Sequence, residues 1–184
     1  LKRYAILYIL LVILLAHFFT PSAYNWASNT ISDLAAQGVP YQWIMQSGFI
    51  GFGLLMAADF GASVRKHNLN AMRDGLILLY AICVLLTGFF SAPPYLPNIP
   101  LNIQAANLHS FFASLAGFGL TAAIVAALFA SRTNPEKWRN FIALLVVTGL
   151  SVIFGLAENG TLPIGIGIVQ RCLWLFSFAW LWFL

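Results

Sequence analysis

Residues 109–130 read HSFFASLAGFGLTAAIVAALFA, running from His109 to Ala130 without one Asp, Glu, Lys or Arg. At a helical rise of about 1.5 Å per residue such a run covers about 33 Å, against about 30 Å for the hydrocarbon core of a bilayer. A stretch this long and this free of charge reads as a transmembrane helix. Five more stretches match it on either side, at 4–20, 42–63, 75–92, 140–157 and 164–184. The expected fold is therefore all-α, a polytopic membrane protein whose residues 1–184 form a single six-span domain. Composition agrees. The chain is 61% hydrophobic and 8% charged, whereas a soluble domain covers itself with roughly 25% charged residues. A soluble enzyme, a secreted disulfide scaffold and a disordered chain are excluded on that ground. Lys2 and Arg3 run straight into the first apolar stretch, and residues 17–21 offer no small-x-small cleavage site. That stretch is read as a retained span.

The connections divide by charge. Those at 64–74 and 131–139 carry Arg65, Lys66, Arg73, Arg132, Lys137 and Arg139; those at 21–41, 93–108 and 158–163 carry no Lys or Arg and are rich in Pro, Asn and Gly. With Lys2 and Arg3, eight of the nine basic residues fall on one side. The positive-inside rule then predicts a multi-pass protein of the cell (inner) membrane with both termini cytoplasmic. The net charge of +4 is a topological signal, and no nucleic-acid partner is expected.

The connection 21–41 predicts a short interfacial helix after the first span. Ser28 or Asn29 can cap it, Ile31, Leu34 and Ala35 give it an apolar face, and Gly38 with Pro40 ends it. Ser47 with Gly51, and Ala113 with Gly117 and Thr121, are small residues four apart that suit close helix packing. Trp174, Phe176, Phe178, Trp180, Trp182 and Phe183 surround the last span. They read as a lipid-facing surface, or as a contact face for a membrane-protein partner.

Beyond the basic rim, the ionisable residues are His17, Asp33, Asp59, His109, Glu158 and Arg171. An ionisable group at membrane depth costs about 2.5–3.5 kcal/mol on insertion scales, which makes each a functional candidate. Arg171 lies about 10 Å into the last span and leans toward its outer end. It is expected to pair with Asp33 or Glu158, the only acids on that side, with Asp33 favoured. His17 and His109 fall at the same outer depth. No cofactor is expected; a haem or a metal at His17 and His109 is the one such option, with Asp33 or Glu158 as further metal ligands. Beside Asp33 and Arg171, His109 suits acid–base chemistry better. Asp59 is expected to pair with Arg65 and Lys66.

Three motifs carry a family resemblance. Asn29-Thr30-Ile31-Ser32-Asp33-Leu34, the single His109 opening the fourth span, and Gly167-Ile168-Val169-Gln170-Arg171 together resemble an uncharacterised prokaryotic six-helix membrane family, catalogued as a domain of unknown function, number nine-nine-eight. Asp33 stands where that family usually has Glu, and Ser91-Ala92-Pro93-Pro94-Tyr95 lacks the Cys and Asp common there. The resemblance implies that Ser32, Asp33, His109, Gln170 and Arg171 belong to one site.

The expected function is an outward-facing polar site in the outer leaflet that binds a lipid head group or small amphiphile. Arg171 would hold the anionic group, with Ser32, Gln170 and Glu158 as further ligand-binding residues and membrane lipids as the partners. One alternative is a membrane enzyme acting on a lipid or lipid-linked substrate, with Asp33 and His109 as its catalytic pair. Another is an accessory subunit of a larger membrane complex.

Overall fold

A computed structural model describes residues 1–65 and 70–184. Six helices account for most of it: α1 (Lys2–His17), α2 (Gln42–Val64), α3 (Ala71–Phe89), α4 (Ile103–Ala130), α5 (Asn134–Glu158) and α6 (Ile166–Phe183). Five of them, α2 to α6, are long and apolar enough to cross a membrane. α1 has 16 residues, about 24 Å at the helical rise, and is the short member. Among the described residues there is no strand, only one isolated parallel bridge between Ala36 and Ala92. Successive helices are neighbours, and α6 returns to pack against α1.

The core is mainly apolar, with Asp74, Thr87, His109, Asn140 and Ser177 as its buried polar members on the helices. Phe49, Phe52, Met45 and Met56 of α2, Ile77 of α3, Ile124 of α4 and Leu181 of α6 are fully enclosed. At its centre Phe52 meets Tyr80 at 6.0 Å, Trp174 at 6.4 Å and Phe178 at 5.5 Å between ring centroids. The last helix is therefore not aromatic toward lipid all round. Phe178 and Trp180 are buried, and Trp180 Nε1 donates to Asn140 Oδ1 at 2.9 Å; Phe176 and Phe183 remain exposed.

Glycine sets how closely the helices approach. A Cβ on Gly53 would meet the Ala81 carbonyl at 2.6 Å, and one on Gly88 the Gln46 carbonyl at 2.8 Å, so α2 and α3 touch backbone to backbone. Gly51 receives the Tyr8 ring, whose hydroxyl donates to the Ser47 carbonyl at 3.0 Å. The Ser47/Gly51 step therefore makes room for a tyrosine ring rather than for a neighbouring helix backbone. Gly117 does not: it faces open space, and Thr121 only bonds back to the Gly117 carbonyl.

At the basic end, Asp59 Oδ2 accepts the Lys2 backbone N–H at 3.0 Å. The expected ion pair of Asp59 with Arg65 is not among those of the described residues, and its pairing with Lys66 lies outside them. A capping box of Thr133 and Glu136 starts α5 at Asn134, six residues before its apolar stretch begins.

Candidate functional site

The connection from α1 to α2 folds back over the end of the bundle, and its backbone is the scaffold of the site. The interfacial helix shrinks to one 3-10 turn, Ser32–Ala35, capped at Ile31 without a side-chain bond. It is buried rather than laid on the interface: Ile31, Leu34, Ala35 and Ala36 are all enclosed. Ile31, Leu34 and Ala35 are the apolar face that the pattern identifies, and Ala36 is buried beside them. Asn29 and Asp33 serve a tighter purpose than a helix cap. Asp33 Oδ2 accepts the Thr30 N–H at 2.8 Å and the Asn29 Nδ2 at 3.1 Å, while Thr30 Oγ1 accepts the Asp33 N–H at 3.1 Å. Gly38, at φ +73°, turns the chain toward α2.

α6 grips this loop with its N-cap, Gly165, and with Gly167, Ile168, Gln170 and Arg171 of its first turns. Gly165 and Gly167 have no side chains, and loop carbonyls fill the space: a Cβ on Gly167 would meet the Trp26 carbonyl at 2.5 Å and the Ala27 carbonyl at 2.9 Å. The Ala27 carbonyl accepts the Ile168 N–H at 3.2 Å, satisfying one of the free donors of a helix N-terminus. Gln170 Oε1 accepts the Ile31 N–H at 2.6 Å.

Arg171 completes the grip, but without the carboxylate expected for it. Nη1 donates to the carbonyls of Trp26 at 2.7 Å, Asn29 at 2.8 Å and Gly167 at 2.9 Å. Nη2 donates to Tyr24 Oη at 2.5 Å and to His17 Nε2 at 3.0 Å. The expected Arg171–Asp33 or Arg171–Glu158 pair does not form; Glu158 is exposed at the end of α5. The physical reason is that three carbonyl dipoles and two neutral acceptors converge on the guanidinium, while Asp33 is occupied in its own turn. The Arg171 charge thereby stays uncancelled by any direct partner. Tyr24 links the same elements, donating to the Thr30 carbonyl at 3.1 Å. Burial raises its phenol pKa and the Arg171 cation opposes that shift.

His17 is fully committed. Nδ1 faces the Ile13 carbonyl at 2.6 Å and Nε2 faces Arg171. A carbonyl can only accept and a guanidinium can only donate, so this is the neutral ring protonated on Nδ1. No lone pair is left for a metal or haem iron. His109 differs. Its Nδ1 approaches the Phe90 carbonyl at 2.8 Å and the Thr87 carbonyl at 3.2 Å, and its Nε2 is buried with no partner. His109 and Asp33 share no hydrogen bond, although the Asp33 charge is close enough to act on His109, Tyr24 and Tyr95. Ser32 opens the 3-10 turn and makes none of these bonds. Among the described residues no three His, Cys, Asp or Glu side chains gather as a metal site.

The third connection locks to the first. Gln37 accepts the Asn102 N–H at 2.7 Å and donates to the Asn102 carbonyl at 3.0 Å, and Tyr24 and Tyr95 stand 6.2 Å apart between ring centroids. Sequence reasoning missed Tyr24, His17 as an Arg171 acceptor, and Gln37. The Gly165-x-Gly167 spacing was the one available signal of a close backbone approach.

Fold and site together define a six-helix polytopic membrane protein with a polar loop clamped over one end by its last helix. The chain belongs to the family described as "Protein of unknown function (DUF998)", whose profile matches residues 4–184. No curated protein and no solved structure matches it.

Proposed function

We propose that the Arg171 end of the bundle binds the anionic head group of a lipid or small amphiphile, on the outer side of the cell membrane. One observation carries this reading. Arg171 is half-buried beside His17 and Tyr24, and its five hydrogen-bond partners are all uncharged. Carbonyl dipoles solvate a cation, but they leave its net charge in place. In a low-dielectric surrounding that charge attracts an anion strongly. Its Nε–H makes no hydrogen bond among the described residues, which leaves a donor for a phosphate or carboxylate oxygen. The outward orientation follows from the crowding of basic residues at the opposite end.

The acid–base reading needs Asp33 and His109 in hydrogen-bond contact, and the Asp33 carboxylate is instead held by Asn29 and Thr30. Binding is therefore the function this geometry favours. The test is thermal stabilisation of the detergent-solubilised protein by lysophosphatidylglycerol against lysophosphatidylcholine. The anionic lipid stabilises more, and the difference persists in Arg171→Lys. Equal stabilisation by the two lipids refutes the reading.

A further inference from the structure

The opposite end of the bundle holds a polar cleft of about 460 Å³ between the start of α3, the end of α4, the start of α5 and Leu184, just after α6. That volume lies within the range of small-ligand sites. Arg73, Arg132 and Arg139 line it, with Glu136, Ser131 and Asn140. The two acids nearby are already engaged. Asp74 takes Arg73 through Nε at 2.7 Å and Nη2 at 2.6 Å. Glu136 Oε2 accepts the backbone N–H of Arg132 at 3.1 Å and of Thr133 at 3.4 Å as the cap of α5; its charge acts on Arg139 without an ion pair. Among the described residues two guanidiniums, of Arg132 and Arg139, have no carboxylate of their own. Arg139 donates through Nη1 to the Phe183 carbonyl at 2.9 Å, and its Nε is buried with no partner among the described residues. A buried guanidinium N–H without a partner is destabilising unless something answers it. The floor is rigid: Asn140 is buried, donates to Ser131 Oγ at 3.0 Å and accepts from Trp180 Nε1 at 2.9 Å.

We infer that this cleft is a second anion site, in which Arg132 and Arg139 hold a phosphate group at the basic face of the membrane. Guanidinium forks match phosphate oxygens in geometry as well as charge. A phospholipid head group from the adjoining leaflet and a free phosphate present the same chemistry. The site is independent of the one at Arg171, since it lies at the other end of the helices.

Native mass spectrometry of the full chain, purified with phosphatidylglycerol, tests it. The paired change Arg132→Gln with Arg139→Gln loses one bound anionic lipid, by about fivefold in occupancy for each arginine at roughly 1 kcal/mol apiece. Arg132→Lys with Arg139→Lys, which keeps the charge, retains most of it and controls for folding. Arg171→Gln leaves this lipid in place, so the two sites fail separately. Displacement by millimolar inorganic phosphate assigns the free anion, and resistance to it assigns the lipid head group; both support a phosphate site. Equal lipid retention by the wild type and the Gln pair overturns it.

Discussion

The carbonyl oxygen of Asn29 occupies the space that a Cβ on Gly167 would need. The first turns of α6 and the loop after α1 can therefore meet only through a residue with no side chain. Gly167→Ala pushes the loop off Gln170 and Arg171 and destabilises the protein by about 1–3 kcal/mol, the usual range for overpacking. Gly149→Ala is the control, because nothing lies within 4 Å of its added Cβ; it changes stability little or raises it by up to about 1 kcal/mol. Thermal melting of both variants in one detergent checks the contrast.

Tyr24→Phe removes a hydroxyl that accepts from Arg171 and donates to Thr30. Two groups then lose a partner, at a cost of about 1–3 kcal/mol. Tyr41→Phe, at an exposed position, changes the melting temperature little. Equal effects from the two changes would show that Tyr24 only fills space.

Tyr95 has its phenol pKa pushed up to about 12, by burial first and then by the Asp33 charge. In the unfolded chain it titrates near 10. Its contribution to stability is therefore intact below about pH 10 and is lost as pH rises from there through about 12. Asp33→Asn lowers the Tyr95 midpoint, read as the phenolate absorbance difference between otherwise identical proteins with and without Tyr95→Phe. An unchanged midpoint in Asp33→Asn places the carboxylate too far away to act.

Cys83 is buried mid-span and Cys172 half-buried in α6, so neither reacts quickly with a membrane-impermeant maleimide. On that silent background, Leu101→Cys and Lys137→Cys, both at exposed positions, label from opposite sides of the membrane. Labelling of both from one side breaks the six-crossing topology.

Hydropathy located every helix because lipid is the solvent, but it located spans rather than helix ends. α4 begins at Ile103, six residues ahead of the span read at 109–130, because Asn102 caps it by accepting the Ala105 N–H at 3.1 Å. α3 begins at Ala71 rather than 75 and carries Arg73 and Asp74 in its first turn, paired to each other. Asn29, Thr30, Asp33, Gln170 and Arg171 stood out as motif residues, but Tyr24 did not, and none of their contacts was legible. Charge reasoning gave Arg171 a carboxylate because it counted ionised side chains and left out backbone carbonyls. The loop supplies those carbonyls only after Gly165 and Gly167 let it close on α6, a long-range contact that no local pattern encodes. His17 was read as a candidate ligand for the same reason: its partner Arg171 is 154 residues away.

The central claim is that the Arg171 charge is answered by an anionic ligand, and bound-lipid counting by native mass spectrometry across Arg171→Lys and Arg171→Gln tests it most directly. The account predicts that Arg171→Lys keeps the anionic lipid at that end, though less stable as a protein because an ammonium with three N–H donors cannot serve all five Arg171 partners, and that a folded Arg171→Gln loses it with the Arg132 and Arg139 site unaffected. Arg171→Gln that folds and carries the same anionic lipids as the wild type would contradict it, leaving Arg171 as a clamp for the loop and nothing more.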